Sequence, residues 1–172
     1  MPTSTAVSNA GRRGFTLLEI AVALAVIALS AGLVLPRLDD LGGRRLDAAA
    51  RRLADSVAYG RDHAILGGRP MRLVVDLDRG RWELGTPAHD ATTITPDASP
   101  LGRATVLSPG LRIVAVTAGG APPATRGLVA LDLEPDGDAF PGRIDLDDRA
   151  GRRASVVVPA AGARPFLLGS DG

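Results

Sequence analysis

Four acidic residues that could bind a cation alternate along one short stretch of the chain. Asp132, Glu134, Asp136 and Asp138 surround a Pro-Asp-Gly turn, a spacing similar to the start of a calcium-binding loop, where alternating carboxylates supply oxygen ligands. Such a loop needs a bidentate acid at its twelfth position, and Arg143 stands there instead. Because a strand that ends in a turn accounts for the same residues, we expect no metal site.

Nucleophilic and redox chemistry need residue types that this chain lacks or contains in isolation. It has no cysteine and two histidines, His63 and His89, which are far apart in the sequence. No serine stands in a G-x-S-x-G elbow, and no phosphate-binding P-loop occurs. We therefore expect no enzyme activity and no cofactor.

Three arginines near the C-terminus, Arg152, Arg153 and Arg164, are the best candidates for a nucleic-acid contact. Three aspartates between residues 145 and 148 alternate with this basic charge. The whole chain carries a net charge of only +1, and 3% of its residues are aromatic. A non-specific DNA-binding protein needs several phosphate contacts, and a single-strand binder needs stacking platforms, so the composition argues against nucleic acid as the partner.

Glu19 is a carboxylate inside an apolar run that extends from residue 15 to residue 35. A helix of that length spans about 31 Å, which matches one bilayer hydrocarbon core. A charge at the bilayer centre costs roughly 2.5–3.5 kcal/mol or more, so Glu19 needs a reason to be there. Arg12 and Arg13 precede the run, and this favours a cytoplasmic N-terminus with the rest of the chain exported.

Residues 14–19, "GFTLLE", resemble the class III signal of type IV pilins and type II secretion pseudopilins. The resemblance implies that a prepilin peptidase cuts between Gly14 and Phe15, which removes residues 1–14 as a leader. It also implies N-methylation of Phe15 as the new first residue. Loss of the leader changes the side-chain charge from +1 to −1.

The same resemblance gives Glu19 a role in assembly. In the related filaments this carboxylate is thought to pair with the N-terminal ammonium of a neighbouring subunit and so to set the axial register. A buried pair can offset its desolvation, whereas a lone buried charge costs several kcal/mol. In the alternative interpretation, Glu19 lies at the membrane edge with its carboxylate in water.

Pro36 follows the apolar run and removes one helix hydrogen bond, so we expect the helix to kink or break there. Beyond it, apolar residues recur at helical spacing: Leu46, Ala49, Ala50, Leu53, Val57, Ala64 and Ile65. This pattern predicts an amphipathic helix with one apolar face for a following domain. Gly67-Gly68 followed by Pro70 predicts its end.

The residues from Met71 onward show a strand pattern. "MRLVVDL" and "RWELG" flank Asp78-Arg79-Gly80, which indicates a hairpin. Further candidate strands are "RATVLS", "LRIVAVTA", "GLVALDLE", "GRIDLDD", "RRASVVVPA" and "RPFLL". The total of about seven or eight short strands is typical of an antiparallel β fold. Residues 86–102 lack periodicity, so we expect a long exposed loop.

The order of prepilin helix, "ADSVAYGRDHAILGGRPMRLVVDLDRGRWEL" and strands resembles the H-type minor pseudopilins of type II secretion, most strongly over residues 11–85. The resemblance implies an α+β, pilin-like fold: a long N-terminal helix, membrane-spanning in its first half, packed on an antiparallel β-sandwich-like head. The expected divisions are a leader (1–14), a transmembrane and filament-core helix (15–36), an amphipathic helix half (37–67) and a periplasmic head (68–172).

That family implies a structural role at or near the tip of a periplasmic pseudopilus, in a single-pass protein of the bacterial inner membrane. The implied partners are other major and minor pseudopilins, the prepilin peptidase and the inner-membrane assembly platform. Two alternatives stay open. One is a minor pilin of a type IV pilus involved in DNA uptake or adhesion, and the other is a membrane-anchored periplasmic domain unrelated to filaments, with an uncleaved leader.

Overall fold

One long helix opens the described part of the chain. The computed structural model describes residues 16–139, 141–160 and 163–168, without the side chains of residues 31–42. Helix α1 comprises Leu17–Gly67, 51 residues. Gly68 follows with a φ of 60°, and the N–H of Arg69 donates to the carbonyl oxygen of Ala64 at 3.2 Å. A left-handed glycine with such a bond is a common helix end, so the predicted end of the helix is confirmed.

Helix α1 is continuous through Pro36, so the expected break at this residue is wrong. A proline removes a single helix hydrogen bond, and a long helix can continue past it. A kink at Pro36 stays a prediction. The chain divides into two units between Asp39 and Asp40, and the first and second parts of α1 are named accordingly, residues 17–39 and 40–67. The expected domain boundaries at residues 36 and 67 stay predictions.

Nine strands follow α1 in the described residues, all short. Their bounds are β1 Met71–Asp76, β2 Arg81–Pro87, β3 Ile94–Pro96, β4 Thr105–Val106, β5 Leu111–Ala118, β6 Leu128–Leu133, β7 Gly142–Asp148, β8 Arg153–Val158 and β9 Phe166–Leu168. The strands form two antiparallel sheets. One has the order β3-β2-β1-β6 with β4 also paired to β2, and the other has the order β5-β7-β8-β9. The expected helix and antiparallel β head are confirmed.

The β1–β2 hairpin shows why local sequence predicted this part of the head well. Val75 pairs with Trp82, and Asp76 pairs with Arg81. Gly80 takes a φ of 57° in the connecting turn, which a residue without a Cβ adopts readily. Alternate residues of β1 are buried, beginning with Met71 and Leu73. The predicted hairpin is confirmed.

A single hydrophobic core joins both sheets and the second part of α1. The helix contributes Leu46, Ala50, Leu53, Val57 and Ala64, all at most 2% exposed. The largest fully buried side chains include Trp82 and Leu84 from β2 and Leu131 and Leu133 from β6; Ile144 and Leu146 of β7 bring the second sheet into the same cluster. The predicted apolar face is correct except at Ile65, which is 47% exposed.

The expected long loop over residues 86–102 is wrong in part. β2 extends to Pro87, and β3 pairs with it through Gly85–Pro96 and Thr86–Thr95. A Cβ on Gly85 would lie within 2.2 Å of the Thr95 carbonyl oxygen, so the glycine permits this close pairing. A three-residue edge strand that contains a proline leaves no periodic signal. β4 is likewise only two residues of the predicted strand "RATVLS".

Candidate functional site

The first turn of α1 carries Glu19, with its side chain exposed. The backbone N–H of Glu19 donates to Thr16 Oγ1 at 3.2 Å, and the N–H of Ile20 donates to the Thr16 carbonyl oxygen. Thr16 therefore caps the helix. The sequence interpretation missed this cap, although Thr-x-x-Glu is a known signature of a helix start. Among the described residues the Glu19 carboxylate has no hydrogen bond or ion pair, so it is available to a partner.

The first part of α1 is apolar on every side. Its large apolar side chains are each at least 49% exposed: Leu17, Leu18, Ile20, Val22, Leu24, Val26, Ile27 and Leu29. The hydroxyl of Ser30 donates to the Val26 carbonyl oxygen at 2.7 Å, which satisfies this polar group within the helix. A helix that is apolar all round is typical of a segment that is buried in a larger core or in a membrane.

Several predicted positions fall outside the described part. Gly14 and Phe15 lie there, as do the side chains of residues 31–35 and of Pro36. Cleavage between Gly14 and Phe15 and N-methylation of Phe15 therefore stay predictions. In the residues that are described, no helix is both long and apolar enough to cross a membrane.

The second part of α1 packs closely against the first sheet. Ser56 is 1% exposed, and its hydroxyl accepts a hydrogen bond from Trp82 Nε1 at 3.2 Å. A Cβ added to Gly60 would lie 2.7 Å from one methyl of Leu84 and 2.8 Å from one of Leu133. A glycine at position 60 therefore lets the helix backbone approach the sheet.

Arg61 is a second residue that the sequence interpretation missed, and its role is structural. It is 5% exposed, and its Nε donates to the Gly137 carbonyl oxygen at 2.8 Å. Its Nη2 donates to the same oxygen, and its Nη1 donates to the Ala163 carbonyl oxygen at 2.5 Å. The guanidinium thus connects α1 to the turn before β7 and to the segment that leads into β9. Its place among exposed helix residues in the sequence gave no signal of this burial.

The acidic stretch 132–138 forms a strand end and a tight turn. Arg72 Nε lies 2.5 Å from Asp132 Oδ1, and Asp136 Oδ1 accepts the Asp138 backbone N–H at 3.0 Å. The N–H of Glu134 donates to the Asp138 carbonyl oxygen at 2.9 Å, which closes the turn. Within the described residues no group of three or more histidines and carboxylates is placed to hold a metal ion.

The two histidines lie on different elements. His63 is on α1 and stacks on Tyr59 with 5.5 Å between ring centroids, whereas His89 is exposed in the β2–β3 connection. Tyr59 Oη also lies 3.5 Å from Asp97 Oδ2. Burial raises the pKa of Asp97, but hydrogen bonds from Ser99 and the nearby charge of His63 lower it more, so the net pKa is below the usual range.

The three arginines considered for nucleic acid do not form one patch. Arg152 Nε donates to Asp148 Oδ2 at 2.7 Å. Arg153 begins β8, whereas Arg164 precedes Phe166, which pairs with Val157 near the other end of that strand. Arg164 is therefore separated from Arg152 and Arg153 by most of the length of β8.

Buried carboxylates hold two turns of the head. Asp148 Oδ1 accepts the backbone N–H groups of Ala150 and Arg152 at 2.9 and 3.0 Å. Burial raises the pKa of Asp148, but the Arg152 side chain and these backbone groups lower it more, and the net direction is down. The same balance, with Arg79 as the donor, lowers the pKa of Asp76 in the β1–β2 turn.

Two family profiles match different parts of the chain. The family described as Type II transport protein GspH matches residues 49–162, more than half of the chain. The family described as Prokaryotic N-terminal methylation motif matches residues 9–35.

Individual relatives agree with these profiles. The chain is 38% identical over 72 residues to the Type II secretion system protein H of Xanthomonas campestris. That alignment covers 41% of this chain and 43% of the relative, so the chain matches less than half of that protein's length.

Two solved structures share the fold at low identity. One is the minor pseudopilin EpsH of the Vibrio cholerae type II secretion system, 16% identical with a TM-score of 0.60 over 76% of this chain and 97% of that one. The other is E. coli GspH, 14% identical with a TM-score of 0.54 over 77% of this chain and 93% of that one. At such identity the similarity is evidence for the fold alone.

Proposed function

Because the chain belongs to the family described as Type II transport protein GspH, we propose that it is a structural minor pseudopilin of a type II secretion system. The observation that carries the proposal is the presence of two matches in one chain. The methylation motif covers residues 9–35, the family match covers residues 49–162, and one helix, α1, connects them.

The exposed apolar side chains in the first part of α1 support the proposal that this segment moves from one apolar environment to another. Leu18 and Leu29 are 75% and 70% exposed, and nothing in the described residues covers them. Residues 15–36 would first lie in the inner membrane and then in the core of a filament. Residues 37–67 and the head, residues 68–172, would lie in the periplasm. The head and residues 37–67 would stay folded together during the transfer, because they share one hydrophobic core.

Maturation would proceed from the cytoplasmic side of the membrane. A prepilin peptidase cuts between Gly14 and Phe15, and the new N-terminal amine of Phe15 is methylated. Glu19, whose carboxylate is unpaired in the described residues, then pairs with the N-terminal ammonium of a neighbouring subunit. That pair sets the register, since a mispaired buried carboxylate costs several kcal/mol.

The role is structural and not catalytic. The partners are major and minor pseudopilins and the inner-membrane assembly platform, and the position is at or near the tip of the pseudopilus. Nucleic acid is not a partner in this proposal, because Arg152 is paired with Asp148 and Arg164 is separated from Arg153 along β8. The outcome of assembly is export of folded proteins across the outer membrane.

Mass spectrometry of the membrane-extracted protein, made with its prepilin peptidase present, tests the first step. We expect a chain that begins at N-methylated Phe15, and Gly14→Ala to leave the leader attached. An intact leader in the parent chain, or normal processing of the variant, would contradict the proposal.

A secretion and assembly assay tests the second step. We expect Glu19→Ala to lower incorporation into the pseudopilus and secretion, whereas Asp62→Ala, which removes an exposed carboxylate from the second part of α1, leaves both unchanged. Urea unfolding of the head should be the same in both variants. Rescue of a type IV pilus instead of secretion would assign the chain to the alternative pilin class.

A further inference from the structure

Three depressions in the head meet around residues 106–111, which run from β4 to the start of β5. Their volumes are about 490, 200 and 180 Å³. The first and second share Leu107 and Ser108, the first and third share Pro109 and Leu111, and the second and third share Arg45. The three depressions are thus neighbours on the surface, and together they are named here the β4–β5 groove.

The floor of the β4–β5 groove is apolar where α1 faces β4. Ala48 and Ala49 of the helix lie on one side, and Val106 and Leu107 lie on the other. Val106 is 66% exposed although it belongs to a strand that pairs with β2. A large apolar side chain so exposed in a groove gains from contact with an apolar group of a partner.

The rim of the β4–β5 groove is basic. Six arginines and two aspartates line it: Arg45, Arg52, Arg79, Arg112, Arg149, Arg152, Asp78 and Asp148. Three of the arginines are ion-paired within the head, namely Arg79, Arg112 and Arg152. The other three, Arg45, Arg52 and Arg149, are exposed and have no ion pair among the described residues.

The unpaired arginines stand beside the apolar floor. Arg45 and Arg52 line the same depression as Val106. Arg149 lies along the backbone at Gly110, where an added Cβ would be 3.8 Å from its Cδ. The groove thus offers three unpaired cationic groups next to an apolar surface.

We propose that the β4–β5 groove docks an acidic segment of a neighbouring pseudopilin that also carries a large apolar side chain. Carboxylates would pair with Arg45, Arg52 and Arg149, and the apolar side chain would contact Val106. This inference rests on the proposed function only in taking the neighbour to be another pseudopilin. A nucleic acid fits less well, because a phosphate backbone makes no use of the apolar floor and Trp82, the aromatic residue that lines it, is 1% exposed and cannot stack on bases.

Fluorescence anisotropy with a synthetic probe tests the groove directly. The full chain in detergent is titrated into a labelled peptide of glutamate and leucine residues. Two reference peptides replace leucine by serine or glutamate by lysine. We expect the first peptide to bind more tightly than either reference, and its affinity to fall as salt rises.

Two double variants locate the binding. Arg45→Ala with Arg52→Ala should raise the Kd of the acidic peptide about tenfold, since each exposed ion pair contributes a few-fold in affinity. Arg69→Ala with Arg103→Ala removes the same charge from exposed positions that do not line the groove, and it should leave the Kd unchanged. Val106→Ser should weaken the leucine-containing peptide and not its serine counterpart.

Four outcomes would overturn the inference. They are no binding of the acidic peptide, equal loss in both double variants, tighter binding of single-stranded DNA at the same arginines, and self-association that the Arg45/Arg52 variant abolishes, which would make a second copy the occupant. Because the peptide assay measures the groove and the Glu19 assay measures filament assembly, failure of one is distinguishable from failure of the other.

Discussion

Leucine side chains are exposed in the first part of α1 and buried in the second part. Leu17 and Leu24 in the first part are 90% and 61% exposed, whereas Leu46 and Leu53 in the second part are 2% and 0% exposed. Both parts belong to one uninterrupted helix. The difference therefore lies in what each part contacts, and not in local conformation.

The comparison indicates which apolar surface of α1 the chain buries by itself. The first sheet packs against one face of the second part of α1, so this part needs only a narrow apolar stripe. The first part has apolar residues on all sides and receives no such cover in the described residues. In the proposed function, that cover comes from the membrane and then from other subunits.

The largest expected effect comes from removing a leucine in the buried part. Leu53→Ala should lower the free energy of unfolding of the head by about 2–5 kcal/mol, because it removes a fully buried side chain and leaves a cavity. Urea unfolding followed by tryptophan fluorescence measures this, since Trp82 is the only tryptophan in the sequence and lies in the same core.

Leu24→Ala is the matched control in the exposed part. It removes the same atoms, and we expect head stability to stay within the error of the measurement while incorporation into the filament falls. An equal loss of head stability in Leu24→Ala and Leu53→Ala would contradict the conclusion that only the second part of α1 packs on the head.

A second prediction concerns Arg61, a buried charged side chain in the second part of α1. Arg61→Met keeps an unbranched apolar chain at this position but removes the guanidinium that donates to Gly137 and Ala163. We expect a loss of about 2–3 kcal/mol in unfolding free energy, because the buried Gly137 carbonyl oxygen loses a charged donor and the part-buried bond to Ala163 is lost as well. Arg69→Met, at an exposed position, should change stability little, and an equally small effect at Arg61 would contradict the role of this side chain.

A third prediction tests how closely the buried part approaches the sheet. An alanine normally stabilises a helix by about 1 kcal/mol relative to glycine, but at position 60 its Cβ would press on Leu84 and Leu133. We expect Gly60→Ala to destabilise the head by about 1–2 kcal/mol through overpacking. Gly67→Ala, where nothing lies within 4 Å of the added Cβ, should leave stability unchanged or raised. An equal gain in stability for Gly60→Ala and Gly67→Ala would contradict the close approach of α1 to the sheet at residue 60.

Residues with a strong local signal were predictable from the sequence. The glycines and proline after residue 66 marked the end of α1, and alternation with Gly80 marked the β1–β2 hairpin. The apolar period located the buried helix face, and it failed only at Ile65, in the last turn before the helix ends at Gly67.

Features that depend on tertiary contacts were not predictable. β3 exists because Gly85 lets Thr95 approach β2, and a three-residue strand has no period to detect. Arg61 is buried because two distant carbonyl groups meet it, and these are 76 and 102 residues away in sequence. The β4–β5 groove combines residues from α1, β4 and the β7–β8 turn, so its basic rim is not a run of arginines in the sequence.

The smallest expected effect extends the comparison from apolar groups to carboxylates. Asp148 is buried in the head, and hydrogen bonds from Arg152 and Ala150 outweigh its burial and hold its pKa below the ordinary value of about 3.9. A carboxyl whose pKa is lowered on folding stabilises the protein above its unfolded pKa, and this contribution is lost as the pH falls through the folded pKa. We therefore expect unfolding free energy to decrease as the pH drops below about 4, and Asp148→Asn to weaken that dependence while it lowers stability at neutral pH.

Glu19→Gln removes an exposed carboxylate from the first part of α1, so head unfolding in this variant should follow the parent at every pH. Urea denaturation at a series of pH values measures both variants, and an acid dependence that Asp148→Asn leaves intact would assign it to other carboxylates, such as Asp76 and Asp97.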